Sequence, residues 1–193
     1  MNPAGILGDA SWYAVLTRSR QEKVSASMLE SFGIENFLPL TIERRQWSDR
    51  KQVVNVPLFP GYLFVRIPLL RDSQLRVLKV PGVVRFIGNH TGPQPIPAAE
   101  IESIQIVLSH RIECTPYPMP RIGDRVRIFR GVLTGIKGTL VRCGSDSKLV
   151  ISVETVQQSI AIRVDRSDIE PVFTPSLPLS SAVTPMLSAQ HAF

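Results

Sequence analysis

A chain of 193 residues has room for one ordinary domain or two small ones. Apolar residues make up 44% and charged residues 20%, which supports a buried core and excludes wholesale disorder. Lys and Arg total 22 against 16 acids, a net +6 that favours polyanionic partners, while no apolar run reaches the roughly 18–20 residues that span a bilayer.

Residues 1–10, MNPAGILGDA, lack the basic flank and long apolar stretch of a secretory signal, so a short flexible leader and a cytoplasmic protein are expected. Trp12 to Leu16 is a compact apolar run with aromatic and β-branched members, which predicts a buried strand. Ser19, followed three positions later by Glu22, has the pattern of a capping box, and Val24, Met28, Leu29 and Phe32 mark one helical face. Gly33 supplies the stop. Ile34 to Leu40 reads as a second strand, the polar Glu43 to Gln52 as a hairpin or loop, and Tyr62 to Ile67 as a central strand. A short helix over Arg71–Val80 and a strand over Val83–Ile87 follow. Pro97 then opens a helix, in whose first turn its missing donor costs nothing, with Ile101, Ile104, Leu108 and Ile112 at helical spacing. Strands interleaved with helices over 11–110 predict an α/β sandwich.

Residues 111–120 hold three prolines in ten positions and read as a semi-rigid linker. Over 121–172 the period changes to two. Val126 and Ile128, then Leu149, Ile151 and Val153, then Ile160, Ile162 and Val164 alternate with other residues, predicting a small antiparallel sheet closed as a barrel. From Phe173 to Phe193 there is no Asp, Glu, Lys or Arg, and the Pro, Ser, Thr and Ala content predicts a disordered tail. Both candidate domains are mildly cationic: twelve basic against eight acidic residues in 11–110, and nine against six in 121–171.

Catalysis has little support. His90, His110 and His191 are scattered without metal-ligand spacing, and Cys114 and Cys143 can supply neither a disulfide framework nor a four-thiolate zinc site. Cys143 has no neighbouring histidine and reads as a structural thiol. Gly131, Gly135 and Gly138 suggest a phosphate loop only briefly, because Lys137-Gly138-Thr139 has the wrong order, and strand-to-strand approach explains them as well. No enzyme, cofactor or metal is expected. The distinctive segment is Val56-Pro57-Leu58-Phe59-Pro60-Gly61-Tyr62-Leu63-Phe64-Val65, whose prolines and glycine hold Phe59 and Tyr62 in fixed positions. These rings either close the core or anchor a binding patch.

Trp12-Tyr13-Ala14-Val15, Phe59-Pro60-Gly61-Tyr62 and the run from Val80-Pro81-Gly82 to Gly88 resemble the NusG N-terminal domain. Ile122-Gly123-Asp124-Arg125-Val126-Arg127-Ile128, with Gly131, Gly135 and Gly138-Thr139-Leu140-Val141, is similar to a KOW domain. More narrowly, Arg45 to Lys51 followed by Val56 to Pro60 resembles the specialised UpxY-type and RfaH-like paralogues. The resemblance covers roughly residues 11–171. It implies a two-domain α+β protein: an antiparallel sheet with flanking helices, and an SH3-like β-barrel.

The resemblance further implies a monomeric transcription elongation and antitermination factor that binds RNA polymerase at the β′ clamp helices and bridges towards the β subunit. Phe59, Tyr62, Phe64, Ile101 and Ile104 match the polymerase-binding patch. For Ile101 and Ile104 the competing reading is the buried stripe of any amphipathic helix. Arg18, Arg20 and Lys23 match the basic cluster that meets the non-template DNA strand, and Arg44, Arg45 and Arg50 form a second nucleic-acid-binding cluster beside Trp47 and Lys51. Ser73-Gln74-Leu75-Arg76 stands where RfaH-like proteins carry a His-Thr-Thr-Thr run for the β subunit, and departs from it. In relatives the KOW domain recruits a ribosomal protein or Rho. Other readings are a general housekeeping NusG protein and a ribosome-associated KOW-type RNA-binding protein.

Overall fold

The computed structural model describes residues 9–46, 51–143 and 146–172. The expectations for the leader's first eight residues, for Trp47 and Arg50, and for the tail lie outside the described residues.

In the first half the elements run β1 (Ser11–Thr17), α1 (Glu22–Ser31), β2 (Glu35–Phe37), β3 (Leu40–Gln46), β4 (Lys51–Pro57), β5 (Tyr62–Ile67), α2 (Arg71–Leu78), β6 (Val83–Phe86), β7 (Gly88–Asn89), β8 (Gly92–Pro93), β9 (Pro95–Ile96) and α3 (Ala98–Ser109). An antiparallel sheet follows the order β2-β5-β1-β6, with β9 also on β1. Alternation along β1 and β5 splits the apolar residues between its faces. Tyr13, Val15, Leu63, Val65 and Ile67 pack with Ala26 and Leu29 of α1 and Val77 of α2. Trp12, Ala14 and Phe64 face the other way, with Ile101, Ile104 and Val107 of α3.

The second half contains β10 (Cys114–Tyr117), β11 (Asp124–Ile128), β12 (Lys137–Cys143), β13 (Asp146–Val153), a 3-10 turn at Glu154–Val156, β14 (Gln158–Arg163) and β15 (Ile169–Pro171). These strands form one antiparallel sheet in the order β10-β14-β13-β12-β11-β15. The period-two segments are strands, as expected. Gly138 is required where β12 meets β13, because a Cβ there would stand 2.6 Å from the Val150 carbonyl oxygen. β10 falls inside the segment expected to be a linker. Its Pro116 is tolerated because β10 ends the strand path and pairs only with β14.

The two halves share one apolar core. α3 lies between β1 and β13, and a single cluster of buried side chains runs from Trp12, Phe59 and Phe64 through Ile101 and Ile104 to Leu149, Ile151, Val156 and Ile160. A helix covered on two sides needs apolar residues on more than one face. Its sequence supplies them: Ile106 and Leu108 join the buried Ile101, Ile104 and Val107.

Three local expectations are corrected. The first helix does not use the Ser19–Glu22 capping pair; Gln21 is its N-cap and makes no side-chain capping bond. Glu22 is instead buried, and its Oε1 accepts the Gly61 N–H at 2.9 Å, so a tertiary donor replaces the local one. The buried stripe of α1 is Ser25, Ala26 and Leu29, while Val24 and Phe32 are exposed. The stripe is rotated because Ser25 Oγ donates to the Pro81 carbonyl at 2.9 Å and pins that side of the helix to the turn before β6. The helix at Ala98 begins one residue later than expected, with Pro97 as its N-cap.

Candidate docking face and basic track

The motif Leu58-Phe59-Pro60-Gly61-Tyr62 turns the chain from the β3–β4 ribbon into β5. Gly61 takes φ +82°, and its amide is held by Glu22, so the rings on either side are fixed by backbone geometry. Phe59 and Phe64 meet edge to face with centroids 6.2 Å apart, and Phe37 stacks on Phe64 at 6.3 Å. Phe59, Phe64, Ile101 and Ile104 are each 0% exposed. Tyr62 is half-buried, packed at the edge of the same cluster.

These five residues, separated by up to 45 positions in sequence, therefore converge on one face. They do not form an open patch: α3 and the second sheet complete the cover, so four of the five side chains are core in this arrangement. The resemblance grouped these five residues, and nothing in the sequence signalled that Val156, in a turn, would join them.

The junction between the halves is polar at its margin. The Glu154 N–H donates to Glu100 Oε2 at 3.2 Å, and Arg125 Nη2 lies 3.5 Å from Glu154 Oε1. The carboxyl of Glu100 is pushed above its ordinary value of 4.5, chiefly by burial. The Glu154 amide that it accepts pulls the other way, the Glu154 charge adds to the rise, and Arg125 lowers it.

Arg18, Arg20 and Lys23 are exposed around the tight turn before α1, where Arg20 takes φ +64°. The Arg18 N–H donates to the Gly82 carbonyl at 2.7 Å, holding this turn against the one before β6. Lys23 Nζ donates to the Asn55 carbonyl at 2.7 Å and so ties the helix start to the ribbon. Arg44 and Arg45 lie on β3, paired with Val53 and Gln52 of β4. Lys23 of the first basic cluster thus reaches the ribbon whose first strand carries Arg44 and Arg45. Cys114 is buried, and burial followed by the charge of Glu113 pushes its thiol up, away from nucleophilic use. Among the described residues no three His, Cys, Asp or Glu side chains converge as a metal site, and no helix is long and apolar enough to cross a membrane.

Over 175 residues the chain is 32% identical to the transcription termination/antitermination protein NusG of Bacillus subtilis (strain 168), covering 84% of this chain and 98% of that protein. The chain belongs to the NusG family. The family described as transcription termination factor nusG matches residues 10–105, from β1 into α3. The NusG protein of Lactococcus lactis subsp. lactis (strain IL1403) is 24% identical over 176 residues, covering 85% of this chain and 94% of its own length. A solved structure described as domain interaction in Thermotoga maritima NusG covers 85% of this chain and 98% of its own at 22% identity, with TM-score 0.49. The NusG match to the Bacillus protein extends well past the family's first 96 matched residues, so it takes in the second sheet as well as the first.

Proposed function

We propose that this chain is a transcription elongation and antitermination factor that docks on RNA polymerase through the face carrying Phe59, Tyr62, Phe64, Ile101 and Ile104. The convergence of these five residues around one apolar cluster carries the reading, together with family membership. Docking there on the β′ clamp helices, with the β subunit across the cleft, requires the second sheet to leave the face, since four of the five side chains are covered. Rings held by a braced turn lose little entropy on binding. Arg18, Arg20, Lys23, Arg44, Arg45 and Arg50 serve the displaced non-template strand, by phosphate neutralisation and base stacking. The second sheet, read as an SH3-like KOW barrel over 121–172, recruits a further factor such as a ribosomal protein or Rho once released. The stretch from Arg45 to Lys51 followed by Val56 to Pro60 supports a specialised, operon-directed factor of UpxY or RfaH type.

Retention of purified RNA polymerase on the immobilised full chain tests the docking face. Tyr62→Ala, at the accessible edge of the cluster, should weaken retention at least several-fold with an unchanged circular dichroism spectrum. Undiminished retention by that folded variant refutes the assignment.

A further inference from the structure

The segment that joins the two halves is itself taken into the second sheet. Among the described residues β10 pairs only with β14, in register from Cys114 with Ile162 to Tyr117 with Ser159. Its attachments are few. The Cys114 side chain is buried, the Ser159 hydroxyl donates to the Tyr117 carbonyl at 2.8 Å, and the Lys148 ammonium lies 6.0 Å from the centre of the Tyr117 ring. Thr115 and Pro116 are exposed, and Pro116 removes a donor from a strand of only four residues. A groove of about 310 Å³, lined by Ile112, Glu113, Thr115, Lys148 and Arg163, runs beside the strand, so that side lacks close packing. The other five strands keep the order β14-β13-β12-β11-β15 without it.

We infer that β10 is a releasable strap: docked on β14 it keeps the second sheet over the aromatic face, and polymerase gains that face only when the strap peels away. The inference rests on the docking face proposed above and names how that face is controlled. Reach is the physical reason. α3 ends at Ser109 and β10 begins at Cys114. The Arg111 and Ile112 N–H groups donate back to the Leu108 and Val107 carbonyls, at 3.1 Å each, and shorten this connection further. Even pulled straight, residues 110–113 span roughly 17 Å. A sheet domain of about fifty residues has a radius of gyration of roughly 10 Å, and α3 is only about 18 Å long. A strapped second sheet therefore stays beside Ile101 and Ile104 however it turns. Freed from β14, the connection runs over residues 110–123 and reaches about 50 Å, which clears the helix. The short tether also raises the effective concentration at which the halves re-engage.

The native Cys114 supplies a lock for the test. Antiparallel register partners stand about 4.5–5.5 Å apart between Cα atoms, within disulfide reach, so Ile162→Cys is oxidised onto Cys114. Cys143→Ser leaves no other thiol. Each comparison sets the oxidised against the reduced form of one protein, so any cost of the Ile162 change to the core is common to both. The immobilised full chain should retain RNA polymerase roughly tenfold less when oxidised. Inserting about ten Gly and Ser residues after Arg111, which returns the reach to roughly 50 Å, should restore retention with the disulfide intact. Equal retention by the two forms, or a lock that the insertion does not rescue, overturns the strap. Small-angle X-ray scattering decides it without polymerase. With Val156→Asp added to loosen the shared core, the reduced form should have a radius of gyration about 5 Å larger than the oxidised form, and equal radii overturn the proposal. If the parent and the reduced lock both fail to retain polymerase, the docking face falls and the scattering comparison still decides the strap.

Discussion

Replacing Val156 with aspartate should open the molecule without unfolding either half. Val156 is 5% exposed in the turn between β13 and β14, which lies against β9, and it belongs to the cluster shared with Trp12, Phe59 and Phe64. Burying a valine contributes about 1.5–3 kcal/mol. A carboxylate in its place must also be desolvated, which adds a cost of roughly 2 kcal/mol or more unless the contact breaks. The two effects together shift the balance between closed and open forms by about 4 kcal/mol, close to a thousandfold. The β13 and β14 strands on either side stay paired through the ladder from Lys148–Arg163 to Val153–Gln158, which the substitution does not touch, so the second sheet keeps its hydrogen bonding. The assay pairs far-ultraviolet circular dichroism, expected unchanged, with binding of a hydrophobic dye and retention of RNA polymerase, both expected to rise. If a folded Val156→Asp protein shows neither rise, the cover over the aromatic face is not what restrains docking.

Glu100→Gln addresses the margin of the same junction. Because the Glu100 carboxyl titrates above 4.5 in the closed arrangement, protonation favours closure; that contribution is complete below pH 4.5 and fades as pH rises through the raised value. Glutamine removes the charge and keeps an oxygen for the Glu154 N–H, so dye binding should fall at neutral pH and lose its dependence across this window; an unaltered pH profile contradicts the assignment. Gly82→Ala should destabilise the first half. Gly82 sits at φ +91°, and a Cβ there would overlap Ser25 Oγ and stand 2.8 Å from Gln21 Oε1. Left-handed strain and the displaced hydroxyl together cost about 2–3 kcal/mol, which lowers Tm by roughly 5–10 °C; calorimetry showing less than about 1 °C would mean the turn adapts freely.

Much of the architecture was legible because it rests on local periodicity. The aliphatic alternation in Leu149–Val153 and Ile160–Val164 specified strands, and the helical spacing of Ile101 and Ile104 specified a helix with one apolar stripe. Local pattern failed where a partner distant in sequence competed for a polar group. Glu22 has the position of a capping residue, yet the Gly61 amide claims it; Ser25 turns inward because the Pro81 carbonyl accepts its hydroxyl. Pro116 suggested a linker because nothing local reveals that β14 would offer it an edge.

The candidate site divides along the same line. Sequence alone brought out the aromatic turn, the isoleucine stripe and the two basic clusters, since each is a short run whose chemistry is carried by its own residues. Only the tertiary structure decided that the aromatic face is closed and that Lys23 is tied to the ribbon. It also decided that β10 is taken up by the second sheet, because pairing and convergence depend on which surfaces the chain brings together, and a one-dimensional pattern does not contain that distance.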